Sequence, residues 1–412
     1  MKHIKSHIKT VFILCSLFFV FKGNAQQLEV LIAQALTNNP KIQKFELQYN
    51  IASEKVNEVN VIPNTEFGVG YFVSEPETRT GVQRFKVSAK QMLPWFGTIT
   101  SRENYVSSLA DAKYEDIVIA KRKLIASVSQ SYYNLYENKA KQEVLTENIK
   151  LLESYETLSL TSVEVGKTSA VDVLRLKMRQ NEMQQLKDVL SQQFLSEQTN
   201  LNNILNREND VTVTVADSLM MPLEDFEITT GNLGLHPELL KYDKLYQSIE
   251  QSELLNQKES SPMIGFGLDY INVSERPGMN FSDNGKDIVM PMVSLSIPIF
   301  NKKYKSQTKQ NELEKQEITV QKQERLNTLE TLLIKAINNR ISARISYDTQ
   351  TKNLKQAKNA EDILIKIYET GTIDFNDVLD IQELQLKFQI NQIQSIKQYY
   401  VQCAVVNYLI TQ

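Results

Sequence analysis

The 412-residue chain has 46 basic and 49 acidic residues, a formal net charge of −3, and 42% hydrophobic residues. Such a chain lacks the basic surface that nucleic-acid binding requires, so we expect no nucleic-acid partner. Beyond residue 25 the only cysteine is Cys403 and the only histidine is His236. These two residues exclude an internal disulfide, a His/Cys metal site and a Ser-His or Cys-His catalytic unit. We therefore predict no enzyme, cofactor or metal, a buried structural role for Cys403 and a helix start at His236.

Residues 1–25 have the pattern of a cleaved secretory signal peptide. Lysines at positions 2, 5 and 9 precede an apolar run over 11–21, and Ala25 offers a small residue for cleavage. Cleavage removes four lysines and no acidic residue, which shifts the net charge of −3 to −7. No later segment has eighteen consecutive apolar residues, so no transmembrane helix is predicted. The signal leaves the periplasm, the cell surface and an outer membrane as destinations.

Two β-hairpins are predicted from alternating apolar residues, with strands over about 65–73 and 82–91 and over about 263–271 and 288–297. Each strand has one apolar face and one face of polar or small residues. Pro291 cannot donate a backbone hydrogen bond, so we expect an irregularity in the last strand. Three methionines fall on the polar face, where they are either adaptable packing or soft ligands for a cation such as Cu(I) or Ag(I): Met263, Met290 and Met292.

Long helices follow each hairpin. The first is predicted over about 99–165, between the turn Pro94-Trp95-Phe96-Gly97 and Gly166, and it returns over about 170–207. The second pair is predicted over about 302–370 and 374–410, after Pro298-Ile299-Phe300 and across Gly371. Trp95 suits an interfacial aromatic belt or the packing of its turn. Seven-residue spacing predicts coiled-coil seams through Val144, Leu151, Leu158 and Val165, through Leu176, Met183 and Leu190, and through Leu379, Leu386, Ile393 and Tyr400.

The chain is an internal duplication with a period near 204 residues. Pro94 and Gly166 are 72 residues apart, and Pro298 and Gly371 are 73 apart. Each glycine is followed at positions six to eight by Asp-Val-Leu, namely Asp172-Val173-Leu174 and Asp377-Val378-Leu379. We therefore predict structural repeats over 26–230 and 231–412. Between them, 211–215 has the composition of a short strand.

The hairpins allow two interpretations. They are either soluble hairpins packed on a helix or membrane strands, for which about nine residues suffice. Four strands cannot close a barrel, because about eight is the smallest closed size, and an open sheet in lipid leaves unsatisfied edges. Membrane strands would therefore require two, three or four copies of the chain to share one barrel.

In its duplicated half, its two strand-to-helix turns and its two Gly-x5-Asp-Val-Leu motifs, the chain resembles the TolC-like outer membrane efflux proteins over essentially all of its length after the signal. The resemblance implies an α+β membrane protein: a homotrimer whose twelve-stranded outer-membrane β-barrel, four strands per chain, continues as a periplasmic α-helical coiled-coil barrel. It also implies a tripartite system with a periplasmic adaptor (membrane fusion) protein and an inner-membrane pump, often of the RND class. The stretch 288–304 is most similar to members that accompany heavy-metal-type RND pumps.

The turns at Gly166 and Gly371, called here the first and second tips, are candidates for the pore entrance and gate. Asp172, Asp377 and Asp380 lie in the helix starts, where carboxylates favour the helix dipole and where rings of them would favour cations. The resemblance places these acids at the entrance and the Val-Leu pairs 173–174 and 378–379 at the adaptor contact. Some relatives have an arginine where this chain has Ile373. We expect Arg175 to pair with Asp380 instead.

The function predicted is a passive outer-membrane exit duct that exports metal cations or small toxic compounds. Two alternatives remain open at this stage. One is the outer-membrane component of a type I protein secretion system, and the other is a periplasmic coiled-coil scaffold or adaptor.

Overall fold

The computed structural model of the chain describes residues 23–164, 169–225, 230–369, 373 and 375–410. Most of the predicted signal peptide, Val165 and both tip glycines, Gly166 and Gly371, lie outside the described residues. In chain order the elements are helices α1 (Gly23–Asn38) and α2 (Pro40–Val59), strands β1 (Glu66–Tyr71), β2 (Glu77–Thr78) and β3 (Gly81–Leu93), helices α3 (Thr98–Glu164) and α4 (Ala170–Ile204), a 3-10 helix (Thr230–Leu235), helix α5 (Pro237–Glu259), strands β4 (Met263–Ser274) and β5 (Ile288–Ser296), and helices α6 (Lys303–Glu369) and α7 (Phe375–Ile410).

The two longest helices, α3 and α6, have 67 residues each and contain no proline or glycine. Their limits lie within one residue of the predicted ones. The prediction succeeds because proline and glycine are the residues that a helix interior accommodates worst. No helix in the described part of the chain has the length and apolar character to cross a membrane.

The chain divides into two compact units that do not coincide with the two sequence repeats. The first unit comprises 1–43, 118–236 and 326–412, and the second comprises 44–117 and 237–325. Each unit therefore takes corresponding segments from both repeats. The first unit contains the ends of the long helices near the tips, and the second contains the β-sheet.

The sheet of the second unit is antiparallel, with the order β1-β3-β4-β5, and the short β2 pairs with the start of β3. The two predicted hairpins are thus joined through β3 and β4. The irregularity expected at Pro291 is absent, because Pro291 pairs in regular register with Leu268 of β4. An edge strand tolerates proline when the missing donor is on the open side. The register shift lies instead between Gln83 and Phe85 of β3.

The buried seam of α3 is one residue away from the predicted one. Leu145 and Leu152 are 0% and 1% exposed, whereas Leu158, a member of the predicted seam, is 42% exposed. The predicted seam of α4 is correct, since Leu176, Met183 and Leu190 are all buried.

The expected strand at 211–215 is not formed, because helical side chains supply the hydrogen-bond partners of this extended segment. Gln198 Oε1 accepts from the Val213 amide at 3.1 Å, and Asn202 Nδ2 donates to the Val211 carbonyl at 2.8 Å. His236 directly precedes α5, as expected, and packs edge-on against Tyr408. Cys403 is half-buried, and burial raises the pKa of its thiol.

Candidate functional site

The helix ends near both tips are held together by one apolar cluster in the first unit. Its buried members come from α3, α4 and α7: Leu145, Leu152, Leu176, Met183, Leu190, Phe375 and Val378. Residues of α6, including Leu364 and Tyr368, pack against them. The Phe375 ring lies 5.0 Å from that of Tyr368 and 5.7 Å from that of Tyr155. The first turns of α4 and α7 are therefore anchored in a common core.

Helix α4 begins at a serine cap. Ser169 is the N-cap, and its hydroxyl accepts from the Val171 amide at 3.2 Å. Asp172 lies in the first turn, with a side chain that is 10% exposed. Its carboxylate therefore interacts favourably with the positive end of the helix dipole, whereas Ser169 caps the helix.

Arg175 does not form the expected ion pair with Asp380. Its Nη1 donates to Oδ1 of Asn376, in the first turn of α7, and lies 4.0 Å from Asp172 on its own helix. Asp380 is exposed one turn further along α7. The starts of α4 and α7 are thus joined by an arginine–amide contact.

A second arginine, Arg179, ties the same two helices and was not identified from the sequence. Its guanidinium pairs with Glu383 of α7 and with Glu182 of α4, the latter at 2.9 Å. Arg175 contacts Asn376 and Arg179 contacts Glu383, so the residue numbers rise in the same direction along both helices. Helices α4 and α7 therefore run parallel here. Two arginines one turn apart on a helix that begins at a tip are the sequence signal that could have found this contact.

A polar layer crosses the core beyond the Phe375 ring. Tyr155 donates to Glu361 Oε1 at 2.8 Å, and Gln385 donates to Glu361 Oε2 at 2.6 Å. Gln382 donates to the Tyr155 hydroxyl at 3.3 Å. Burial, and then the Glu361 carboxylate, raise the pKa of Tyr155. Buried polar groups must be satisfied, so this layer fixes the axial position of α3 against α6 and α7.

Glu156 of α3 contacts helix α4. Gln180 donates to it at 3.0 Å, and the Lys177 ammonium lies 3.2 Å away. The hydrogen bond from Gln180, together with Lys177, holds the pKa of Glu156 below its usual value.

The remaining tip residues divide by exposure. Asp377 and Asp380 are exposed, and among the described residues no basic side chain pairs with either carboxylate within 4.0 Å. Leu174 is 60% exposed and Leu379 is half-buried. Val173 and Val378 are 8% and 0% exposed, so in this structure they pack the tip and are not available to a partner.

The two strand-to-helix turns differ in construction. Gly97 has a φ of +79°, a conformation that other residues avoid, and the Thr98 amide donates to the Trp95 carbonyl at 3.0 Å. The second turn contains Pro298 but no glycine. There the Asn301 side chain accepts from the Lys303 amide at 2.9 Å and caps α6.

Strand pairing places Met290 and Met292 on the sheet face opposite to Val289 and Val293. Met263, the first residue of β4, is on the same face as the two methionines. Met92 of β3, which the sequence did not single out, is on this face too. No group of three His, Cys, Asp or Glu suited to a metal ion occurs among the described residues.

Residues 31–207 match the family model described as outer membrane efflux protein. Over these residues the chain matches the family that its motifs predicted, so the predicted resemblance is confirmed there. The family's name gives the location that we predicted, the outer membrane. A comparison with curated proteins finds no match.

Solved outer-membrane channels have the same fold. CusC, whose structures concern transmembrane channel formation, aligns with a TM-score of 0.77 and 13% identity over 95% of each chain. The outer membrane protein VceC of Vibrio cholerae gives 0.72 and 15% over 93% of this chain and 96% of its own. The open-state MtrE outer membrane channel of Neisseria gonorrhoeae gives 0.73 and 16% over 93% and 88%. At these identities the likeness establishes the fold, long helices with a β-sheet.

Proposed function

Because residues 31–207 match the outer membrane efflux protein family, we propose that three copies of this chain form an exit duct of the outer membrane. Each copy contributes four long strands to a twelve-stranded barrel, and the helices continue it as a periplasmic tunnel. The duct carries out no bond chemistry. It provides a passage for cargo that an inner-membrane pump drives.

The observation that carries this proposal is the apolar face of the sheet. It presents Phe67, Val69 and Tyr71 of β1, which are 78%, 82% and 69% exposed, and Val293 of β5, which is 75% exposed. The register aligns these residues with Phe85 and Val87 of β3 and with Phe266 and Leu268 of β4. An apolar face of this extent, without a charged residue, is suited to lipid.

The opposite face is polar. It includes Lys86, which pairs with the buried Asp269 of the neighbouring strand, and Lys90, Ser88 and Ser294. A barrel wall with lipid outside and water inside requires this division between faces.

The sheet edges supply the reason for assembly. Among the described residues β1 pairs only with β3, and β5 only with β4, so each has a free row of backbone donors and acceptors. In lipid each unsatisfied group costs several kcal/mol, so the edges must join other copies. Two copies reach the smallest closed size and three give the size implied by the family, which favours the trimer.

The tips give the duct its entrance. The exposed Asp377 and Asp380, repeated around a three-fold axis, form carboxylate rings that favour cations. The contacts of Arg175 and Arg179 with α7 hold the two helix starts together and make the gate. The exposed Leu174, with Leu379, offers the surface for a periplasmic adaptor, and an RND-type pump supplies the energy. We propose metal cations or small toxic compounds as cargo.

The proposal is tested by extracting the protein from outer membranes in detergent. We expect a trimer by native mass spectrometry, a band that changes mobility on heating and ion conductance in planar bilayers. A folded monomer that stays soluble without detergent would refute the barrel and would favour the periplasmic scaffold.

A further inference from the structure

Both strand-to-helix turns, which follow the last residues of β3 and β5, expose large apolar side chains. Trp95 and Phe96 follow β3 and are 37% and 78% exposed, and their rings meet edge to face at 5.8 Å. Ile299 and Phe300 follow β5 and are 71% and 98% exposed. The apolar surface therefore continues past the last strand residues.

The two turns lie at the same end of the sheet, where β3 and β5 finish; this end is called the lysine and aromatic edge below. Leu93 pairs with Ile264, and Ile264 pairs with Leu295, so β3 and β5 end side by side with only β4 between them. Two strand spacings are about 10 Å. Trp95 and the residues after Leu295 are therefore at one level of the sheet.

Three exposed lysines follow Phe300 directly: Lys302, Lys303 and Lys305. Helix α6 has no acidic residue in its first turn, so these cations oppose the helix dipole and destabilise the helix start. Among the described residues none of the three forms an ion pair. The next lysines of the same helix do, Lys309 with Glu312 at 2.9 Å and Lys315 with Glu250 at 3.5 Å.

The basic residue near the start of α3 is neutralised. Arg102 pairs with Glu259 at 3.0 Å, so the helix that follows Trp95 contributes no net charge through this arginine. Of the two helix starts, that of α6 therefore carries the uncompensated charge.

We infer that this lysine and aromatic edge binds anionic phospholipid headgroups of the periplasmic leaflet. Aromatic side chains settle at the interface between headgroups and acyl chains, and clusters of lysines next to a membrane segment attract anionic lipids. The inference rests on the proposed membrane position of the sheet. It adds the charge of the lipid and the level at which the lipid binds.

Trp95 is the only tryptophan of the chain, so its fluorescence reports on this edge alone. The full-length trimer is reconstituted in phosphatidylcholine bilayers containing an equal small fraction of either brominated phosphatidylglycerol or brominated phosphatidylcholine. We expect the anionic quencher to associate with the Trp95 site at least about threefold more strongly, with a preference that falls as salt rises.

The test variant is Lys302→Gln/Lys303→Gln/Lys305→Gln, which should lose most of this preference. The matched control is Lys352→Gln/Lys355→Gln/Lys358→Gln, three exposed lysines further along α6, which should keep it. Equal quenching by both lipids in the wild type, or an unchanged preference in the test variant, would overturn the inference while leaving the barrel intact.

Two further outcomes separate the alternatives. If millimolar glycerol 3-phosphate abolishes the preference, the edge binds a free phosphate and the lipid assignment is wrong. If neither brominated lipid quenches Trp95, the sheet is not in the bilayer, and the proposed function fails together with the inference.

Discussion

Replacing Val69 by lysine tests the lipid face of the sheet most directly. Val69 lies in the middle of β1, is 82% exposed and pairs with Val87 on the same face. In a soluble protein an exposed lysine here would be harmless, because surface substitutions usually change stability by less than about 0.5 kcal/mol. In a bilayer the ammonium group would have to leave water.

The expected cost in the bilayer is about 2–4 kcal/mol per subunit near the membrane midplane, falling to about 0–1 kcal/mol at the interface. Because about 1.4 kcal/mol corresponds to a factor of ten, the midplane range lowers the folding equilibrium constant roughly 30- to 700-fold. We expect Val69→Lys to reduce trimer yield strongly and to lower the temperature at which the trimer dissociates.

The matched control is Gly70→Lys, one residue away on the opposite face. A Cβ built at Gly70 meets no atom within 4 Å, so the side chain has room. Gly70 pairs with Lys86, which adds a repulsion of at most about 1 kcal/mol and makes the control the more demanding. If both variants assemble and melt alike, or if Gly70→Lys is the more damaging, the assignment of lipid to the Val69 face is wrong.

Three further predictions concern the first unit. Leu152→Ala should cost about 2–5 kcal/mol in chemical denaturation of the helical region, whereas Leu158→Ala should cost less than about 1 kcal/mol; the reverse order would restore the seam predicted from the sequence. Replacing Asp377 and Asp380 together by asparagine should reduce the preference for cations, measured as a smaller reversal potential under a salt gradient, and an unchanged potential would remove these acids from the entrance. A hydrogen bond from Arg344, and next one from Tyr399, lowers the pKa of Asp225 in the folded protein. Its carboxylate therefore stabilises the fold at pH values above about 4, the pKa of an aspartate in the unfolded chain. This stabilisation is lost as the pH falls through the lowered pKa of the folded state. Asp225→Asn should flatten this acid limb of the stability curve, and an identical limb in the variant would exclude the pair as its source.

The seams of the long helices show why spacing alone was insufficient. Val144 and Leu145 are neighbours, as are Leu151 and Leu152, so seven-residue spacing fits two adjacent stripes equally well. Packing against Phe375 and Val378, which lie more than 200 residues away in the chain, selects the stripe through Leu145 and Leu152. In α4 no such doublet competes at Leu176, and the prediction was correct.

The contacts at the tips were likewise beyond the sequence. The predicted partner of Arg175, Asp380, and the observed partner, Asn376, lie near the start of α7, one helical turn apart. Which of them the arginine reaches depends on the axial position of α4 against α7. The apolar cluster, which has buried members from both helices, sets that position. The sequence identified the arginine but not its partner.

The sequence by itself determined the duplication, the alternating strands and the long helices, because these follow from the periodicity of side chains and from where proline and glycine fall. It also determined that the sheet has one apolar face. The tertiary structure decided which strands join, which heptad stripe is buried and which groups meet at the tips. Those choices depend on contacts between segments far apart in the chain, whose energies no local pattern contains.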